Sequence, residues 1–227
     1  MQKLIVKQVA VDYYGFFVAP AFNLMGEMRQ IIEGLSKTFA AHKVGLGSFR
    51  LDGDISDPST AAVTVRLDPF GLYKFKFDQV QASLGGFTDD ELEGFVSVIG
   101  KGNQWVRETV ENFIFKTHVF SYASHSTVAD GTSSSFLLGL PRRPISVPGE
   151  DHGSGILETW HDREMDARVR LMLDHSLQEP DGLYLTFMVV FERDVIDYVQ
   201  SAHQSRKLLD SYLAHLNLEF AEDSSES

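Results

Sequence analysis

Between Thr60 and Leu84 the chain alternates with a period of two, and this limits its fold more than any other feature. Val63, Val65 and Leu67 fall on one side of an extended chain, and Thr64, Arg66 and Asp68 on the other. After the turn signal Pro69-Phe70-Gly71 the alternation resumes, with Tyr73, Phe75 and Phe77 against Lys74, Lys76 and Asp78. Successive side chains of a strand point to opposite faces, so the pattern predicts an antiparallel meander with one buried face. That face needs a second layer, and the rest of the chain offers helices to cover it.

The first candidate helix, Ala21 to His42, follows Pro20 and carries Phe22, Met25, Met28 or Ile32, Leu35 and Phe39 at three-to-four spacing. Gly26 and Gly34 weaken it or admit a close neighbour. Thr88 and Glu91 form a capping box for a second helix, which Gly100 and Gly102 are expected to break before it resumes from Asn103. The last helix is predicted over Val195 to Leu216 with Asp194 as its cap. Strands are expected at Gln2 to Val18, Val44 to Leu51, Phe115 to Ala129, Ser135 to Leu140 and Leu183 to Glu192. The first has apolar residues in both parities, which predicts cover on both of its faces. The fold class is therefore α+β: an antiparallel, meander-rich sheet packed by a long helix after the first strand and a long C-terminal helix. Residues 1–220 read as a single domain with pseudo-halves at 1–100 and 101–220, and 221–227 as an acidic disordered tail. Pro141 to Ser154 reads as a linker or long loop.

The densest group of titratable residues lies in "EDHGSGILETWHDREMDARVRLMLDHS", Glu150 to Ser176, where Asp151-His152, His161-Asp162 and Asp174-His175 are adjacent pairs. A helical zinc pair needs two histidines one turn apart on one face, and no such spacing occurs in the chain. Read as strands, each adjacent Asp-His pair splits onto opposite faces. A tight turn at Arg163-Glu164 pairs His161 with Asp166, Trp160 with Ala167 and Ile156 with Leu171, and leaves Glu158 facing inward opposite Val169. A metal centre from His152, His161 and Asp166 remains the competing reading of this stretch. In "HVFSYASHSTVADGTSSSF" the serines lack the elbow of an activated nucleophile, and His118 shares strand parity with Phe120 and Tyr122. Neither "GLG" at Gly45 nor "GKG" at Gly100 has the spacing of a phosphate loop, so no cofactor is expected.

Composition narrows the partners. The 227 residues carry a net charge of −12, which opposes a nucleic-acid surface spread over the whole protein. There are no cysteines, so disulfides and thiolate chemistry are excluded. No apolar run is long enough to span a membrane, and the N-terminus reads as a strand rather than a signal peptide, which gives a cytoplasmic expectation.

The closing segment "GLYLTFMVVFERDVIDYVQSAHQSRKLLDSYLAHLNLEF", with Ala202-His203 and Phe220, resembles a widespread, sporadically distributed group of uncharacterised bacterial proteins. The resemblance implies a bacterial, cytosolic protein and carries no activity. The layout of sheet and C-terminal helix also resembles helix-grip folds, which hold ligands between the two. Two functions stay open. The first is a non-enzymatic protein-binding or assembly protein, with a protein partner or a second copy as its target. The second is a small-molecule-binding protein or hydrolase with a pocket between sheet and C-terminal helix, lined by Tyr122, Glu158, His175, Tyr198 and His203.

Overall fold

The longest strand, β1 (Gln2–Phe17), organises the molecule because it changes both its face and its partner partway along. Residues 1–21, 27–42, 44–54, 57, 59–68, 71–110, 113–139, 155–195 and 197–221 are described by the computed structural model. Leu4 faces the core before an irregularity between Val6 and Gln8; Val11, Tyr13 and Phe17 face it afterwards. An extra residue in a strand inverts the parity of everything beyond it. The apolar residues of both parities therefore reflect a bulge rather than cover on two faces, and Ile5 and Val6 are exposed.

The other strands are β2 (Phe49–Asp52), β3 (Ala62–Arg66), β4 (Leu72–Lys76), β5 (Gln79–Gly85), β6 (Phe115–Val128), β7 (Ile156–Asp162), β8 (Ala167–His175), β9 (Gly182–Phe191) and β10 (Leu218–Phe220). They form one sheet in the order β2-β3-β4-β5-β1-β6-β9-β8-β7, antiparallel throughout except where β10 runs parallel to β1. Read outward from the central β1/β6 pair, each side is a meander: β5-β4-β3-β2, four strands, on one, and β9-β8-β7, three strands, on the other. On its β5 edge β1 pairs with β10 over Gln2–Leu4 and with β5 over Ala10–Phe16. No described strand pairs with the stretch between them, which leaves a notch in the sheet.

The helices are α1 (Met28–Thr38), α2 (Asp89–Thr109), α3 (Ser133–Gly139) and α4 (Tyr198–His215). All four lie on the face that buries Tyr13, Val63, Val65, Tyr73, Phe75, Val169, Leu171 and Phe187. The parity read from Thr60 to Phe77 is the observed one, with Val63, Val65, Leu67, Tyr73 and Phe75 fully buried. Leu72 to Leu84, however, is two strands and not one: the chain turns at Phe77-Asp78, and beyond it Val80, Ala82 and Leu84 face the core. No described helix covers the opposite face. None is long and apolar enough to cross a membrane.

Several local expectations are corrected. α1 begins at Met28, and Ala21 precedes it in extended chain, while residues 22–26 lie outside those described. Only Phe49–Asp52 is strand in the second run, because Leu46–Ser48 is a 3-10 turn. Residues 133–139 are helix rather than strand; Thr132 and Ser135 exchange side-chain-to-backbone hydrogen bonds of 3.1 and 3.2 Å that start the turn. The cap of α4 is Asp197, which accepts from Gln200 N at 2.8 Å, and not Asp194. The β7/β8 register is two residues from the expected one, with Trp160 opposite Val169 and Glu158 opposite Leu171. A four-residue turn replaces the tight one, because Met165 is buried and its N–H is held by Asp162 at 2.9 Å. A shift of two preserves every face. The 141–154 stretch, with His152, and the 222–227 tail lie outside the described residues.

α2 runs unbroken through both glycines. A Cβ on Gly102 would lie 2.6 Å from the Tyr73 ring, and one on Gly34 of α1 would lie 2.3 Å from the Trp105 indole of α2. These glycines permit close packing at a cost in helix propensity. Gly102→Ala is expected to lower stability by roughly 1–3 kcal/mol through overpacking. Gly100→Ala, whose Cβ would make an ordinary 3.5 Å contact with Tyr198, is expected to be neutral or to stabilise by roughly 0.5–1 kcal/mol. Urea unfolding of the two variants checks both.

Candidate functional site

Polar side chains that a strand turns toward the helices must find partners there, since a lone buried polar group costs several kcal/mol. Four such groups, Tyr13, Tyr73, Asn103 and His118, are completely buried and joined in one chain. The Tyr73 hydroxyl donates to Asn103 Oδ1 at 3.0 Å, and Asn103 Nδ2 donates to the Tyr13 hydroxyl at 2.6 Å. The Tyr13 hydroxyl lies 2.6 Å from His118 Nδ1, and His118 Nε2 lies 3.1 Å from Asp194 Oδ1. Asp194 also accepts from Arg107 Nη2 at 2.5 Å; the same nitrogen donates to Val195 O at 2.9 Å and to the Tyr198 hydroxyl at 3.0 Å. The Arg107 guanidinium lies over the Phe115 ring, 4.8 Å from its centroid.

The direction of each bond follows from the end of the chain. A carboxylate only accepts, so Nε2 of a neutral His118 carries the proton, and the bare Nδ1 accepts from Tyr13. Donation then runs one way from Tyr73 through Asn103, Tyr13 and His118 to Asp194. Burial lowers the His118 pKa to about 4, against the opposing pull of Asp194. Burial also holds Tyr13 and Tyr73 protonated, well above their ordinary range.

A tyrosine, a histidine and an aspartate in hydrogen-bonded sequence have the composition of a nucleophilic relay. Here, however, Tyr13 and His118 have no exposed surface. A substrate cannot touch either, so the arrangement joins elements of the fold. Sequence parity grouped His118 with Phe120 and Tyr122 on a half-exposed strand, and the structure buries it completely. Nothing in the sequence pairs it with Asp194, 76 residues away.

The five residues singled out from the sequence do not converge. Tyr122 is half-buried on β6, with Arg206 5.5 Å above its ring. Glu158 is exposed on β7 and accepts a hydrogen bond from Tyr212 of α4, whose ring stacks on Trp160 at 4.9 Å. His175 Nδ1 lies 3.3 Å from the Ser133 hydroxyl of α3. Tyr198 is buried at the start of α4 and belongs to the Arg107 cluster. His203 is exposed along a groove of about 220 Å³ between α2 and α4. The space enclosed between sheet, α2 and α4 is about 50 Å³, far below the roughly 300–1,000 Å³ of ligand pockets. His161 and Asp166 are 3.4 Å apart on the surface, and among the described residues no three histidine or carboxylate side chains gather around a metal position.

Larger hollows lie elsewhere. One, of about 600 Å³, opens on the helix-free face over β1–β5 and presents Asp12, Tyr14, Arg50, Arg66 and Lys74. Lys74 is tied to Asp52 at 3.2 Å and Arg50 to the same carboxylate at 2.7 Å. Burial raises the pKa of Asp12 above the ordinary carboxylate value. The other, about 750 Å³, is the notch beside β1. No protein family and no curated protein matches this sequence.

Two measurements test the buried chain. The His118 imidazole is expected to stay neutral in NMR titrations across the range where exposed imidazoles take up a proton; an ordinary midpoint would contradict the assigned tautomer. The unfolded imidazole binds its proton near 6.5 and the folded one near 4, so between those values the unfolded state holds more protons. Stability is full above the unfolded value and falls as the pH drops through this window, by on the order of 3 kcal/mol in all. His118→Gln, which cannot titrate, is expected to lose that part of the pH dependence in urea unfolding.

Proposed function

We propose that the protein is a non-enzymatic binding or assembly protein acting in a bacterial cytoplasm, and that its target is a protein surface, a second copy of the chain included. The carrying observation is the uneven cover of the sheet. Among the described residues the helices all pack on one face, and none covers the other. Across that bare face runs a diagonal apolar band from Phe16 and Tyr14 of β1 through Val119 of β6 and Val190 and Met188 of β9 to Met172 of β8 and Leu157 of β7. Phe16 is 37% and Leu157 59% exposed. Leu157 also sits on β7, which among the described residues is an edge strand paired on one side only, the part of a sheet most ready to pair with another chain. The burial of Tyr13 and His118, although Asp194 and Arg107 reach solvent, favours binding over catalysis.

In this reading residues 1–220 act as one domain of two halves joined at β1/β6. Its support is the meander on each side and the single core that runs beneath both. The competing pocket between sheet and α4 has the small apolar space under α2 and the open notch beside β1, and of its five expected lining residues only Tyr122 borders either.

The test is sedimentation velocity over a wide concentration range, with photo-crosslinking from Met188 in cells. Wild-type protein is expected to self-associate or to crosslink to one protein target. The double variant Phe16→Lys with Leu157→Lys is expected to abolish this with little change in melting temperature. A protein that stays monomeric at every concentration and forms no crosslink overturns the reading.

A further inference from the structure

We propose that the notch beside β1 is a binding site for a small molecule with an apolar, aromatic body and a single carboxylate, which seats on Arg206. This site is separate from the bare face and does not rest on the function proposed above.

The argument starts from the donors of Arg206. A guanidinium has five N–H groups in a fixed plane. Arg206 uses Nε on Asp210, one turn along α4, at 3.3 Å, and its side chain is 30% exposed. Among the described residues its Nη atoms meet no acceptor, so four donors are unspent. The group is nevertheless held in place: it lies 5.0 Å over the Phe220 ring and 5.5 Å over the Tyr122 ring. A guanidinium already held over two rings and partly withdrawn from water is prepared for a bidentate anion, because little side-chain freedom is left to lose.

The surroundings set the rest of the ligand. The notch, about 750 Å³, is of small-molecule size, and Val9, Phe87, Tyr122, Leu213, Leu218 and Phe220 form much of its wall. It exists because β10 leaves β1 at Leu4, where Ala221 N bonds Leu4 O, and β5 arrives only at Val9, where Gly86 N bonds Val9 O. The charged side chains of the lining are Lys7, Arg206, Asp210 and Glu219, two of each sign, and Met1 with its terminal amino group also borders it. A ligand with several negative charges meets Asp210 and Glu219, whereas one carboxylate can be matched by Arg206 alone. Beyond Tyr122 and Arg206 lies the apolar space of about 50 Å³, which accepts a methyl-sized projection and nothing larger.

The probe is 3-phenylpropionate, compared with its uncharged amide, by calorimetry and by NMR shifts of the Arg206 Nε–H and the Phe220 ring. The acid is expected to bind in the millimolar range or tighter and to move both signals, with the amide weaker by about tenfold or more. Arg206→Met keeps the apolar stem over the rings and is expected to erase the preference for the acid. Ala214→Trp, at an exposed position of α4 that lines the notch, is expected to block both probes. If Arg206 only braces β10 against α4, Arg206→Met lowers the melting temperature and the wild type shows no binding; that result overturns the proposal. So does equal binding of acid and amide.

Discussion

The hydrogen bond between Tyr13 and His118 joins the two central strands, and most of the architecture hangs on the chain of donors that passes through it. Tyr13 is on β1, His118 on β6, Tyr73 on β4 and Asn103 on α2, while Asp194 precedes α4. One polar thread therefore fixes three strands, one helix and the entry to another. Each member is saturated by its neighbours, so the thread does not leave buried donors or acceptors empty. An apolar core tolerates sliding between similar side chains, whereas this chain has one arrangement in which every group is satisfied. The same requirement explains Gly102: α2 must approach Tyr73 closely for Asn103 to reach its hydroxyl, and a methyl group there would meet the ring.

Much of the fold was legible because it follows from period. Val63 to Phe77 alternates, and the structure buries the predicted parity. Thr88 and Glu91 make both bonds of the capping box. What escaped depends on tertiary contact. Gly100 and Gly102 look like helix breakers until Tyr73 stands beside them. The Phe136-Leu137-Leu138 run reads as a short strand, yet the Thr132–Ser135 exchange starts a helix over 133–139. The double parity of β1 suggests two covered faces, and only the bulge between Val6 and Gln8 shows that a single face changes sides. Asp194 was assigned a local role as a cap; its contacts with His118 and Arg107 span most of the second half of the chain.

The site was less legible than the fold for a related reason. Tyr122, Glu158, His175, Tyr198 and His203 were expected as the polar lining of a cavity between sheet and C-terminal helix, and each found a nearby partner or solvent instead of a common centre. Arg206 carried no signal at all, since a helix with Arg206 and Asp210 one turn apart reads as a routine surface pair. Its position over Phe220 depends on the parallel return of β10 to the start of β1. That return is set by Asn217, whose positive φ of 58° turns the chain out of α4.

Tyr13, His118 and Asp194 also show why composition alone does not define an active site. The donor order, the neutral histidine and the anchoring carboxylate all match a nucleophilic relay. Catalysis further requires a reacting atom within reach of the nucleophile and a place for developing charge. The Tyr13 hydroxyl already has Asn103 on one side and His118 on the other, and the rings of Phe120 and Tyr198 stand 5.2 and 5.8 Å from its own ring. Its proton is committed to His118, and its pKa is pushed upward by burial, away from nucleophilic reactivity. The features that make the relay secure as a brace are those that disqualify it as chemistry. They shift the search for function outward, to the bare face of the sheet and to the notch where one guanidinium keeps its donors free.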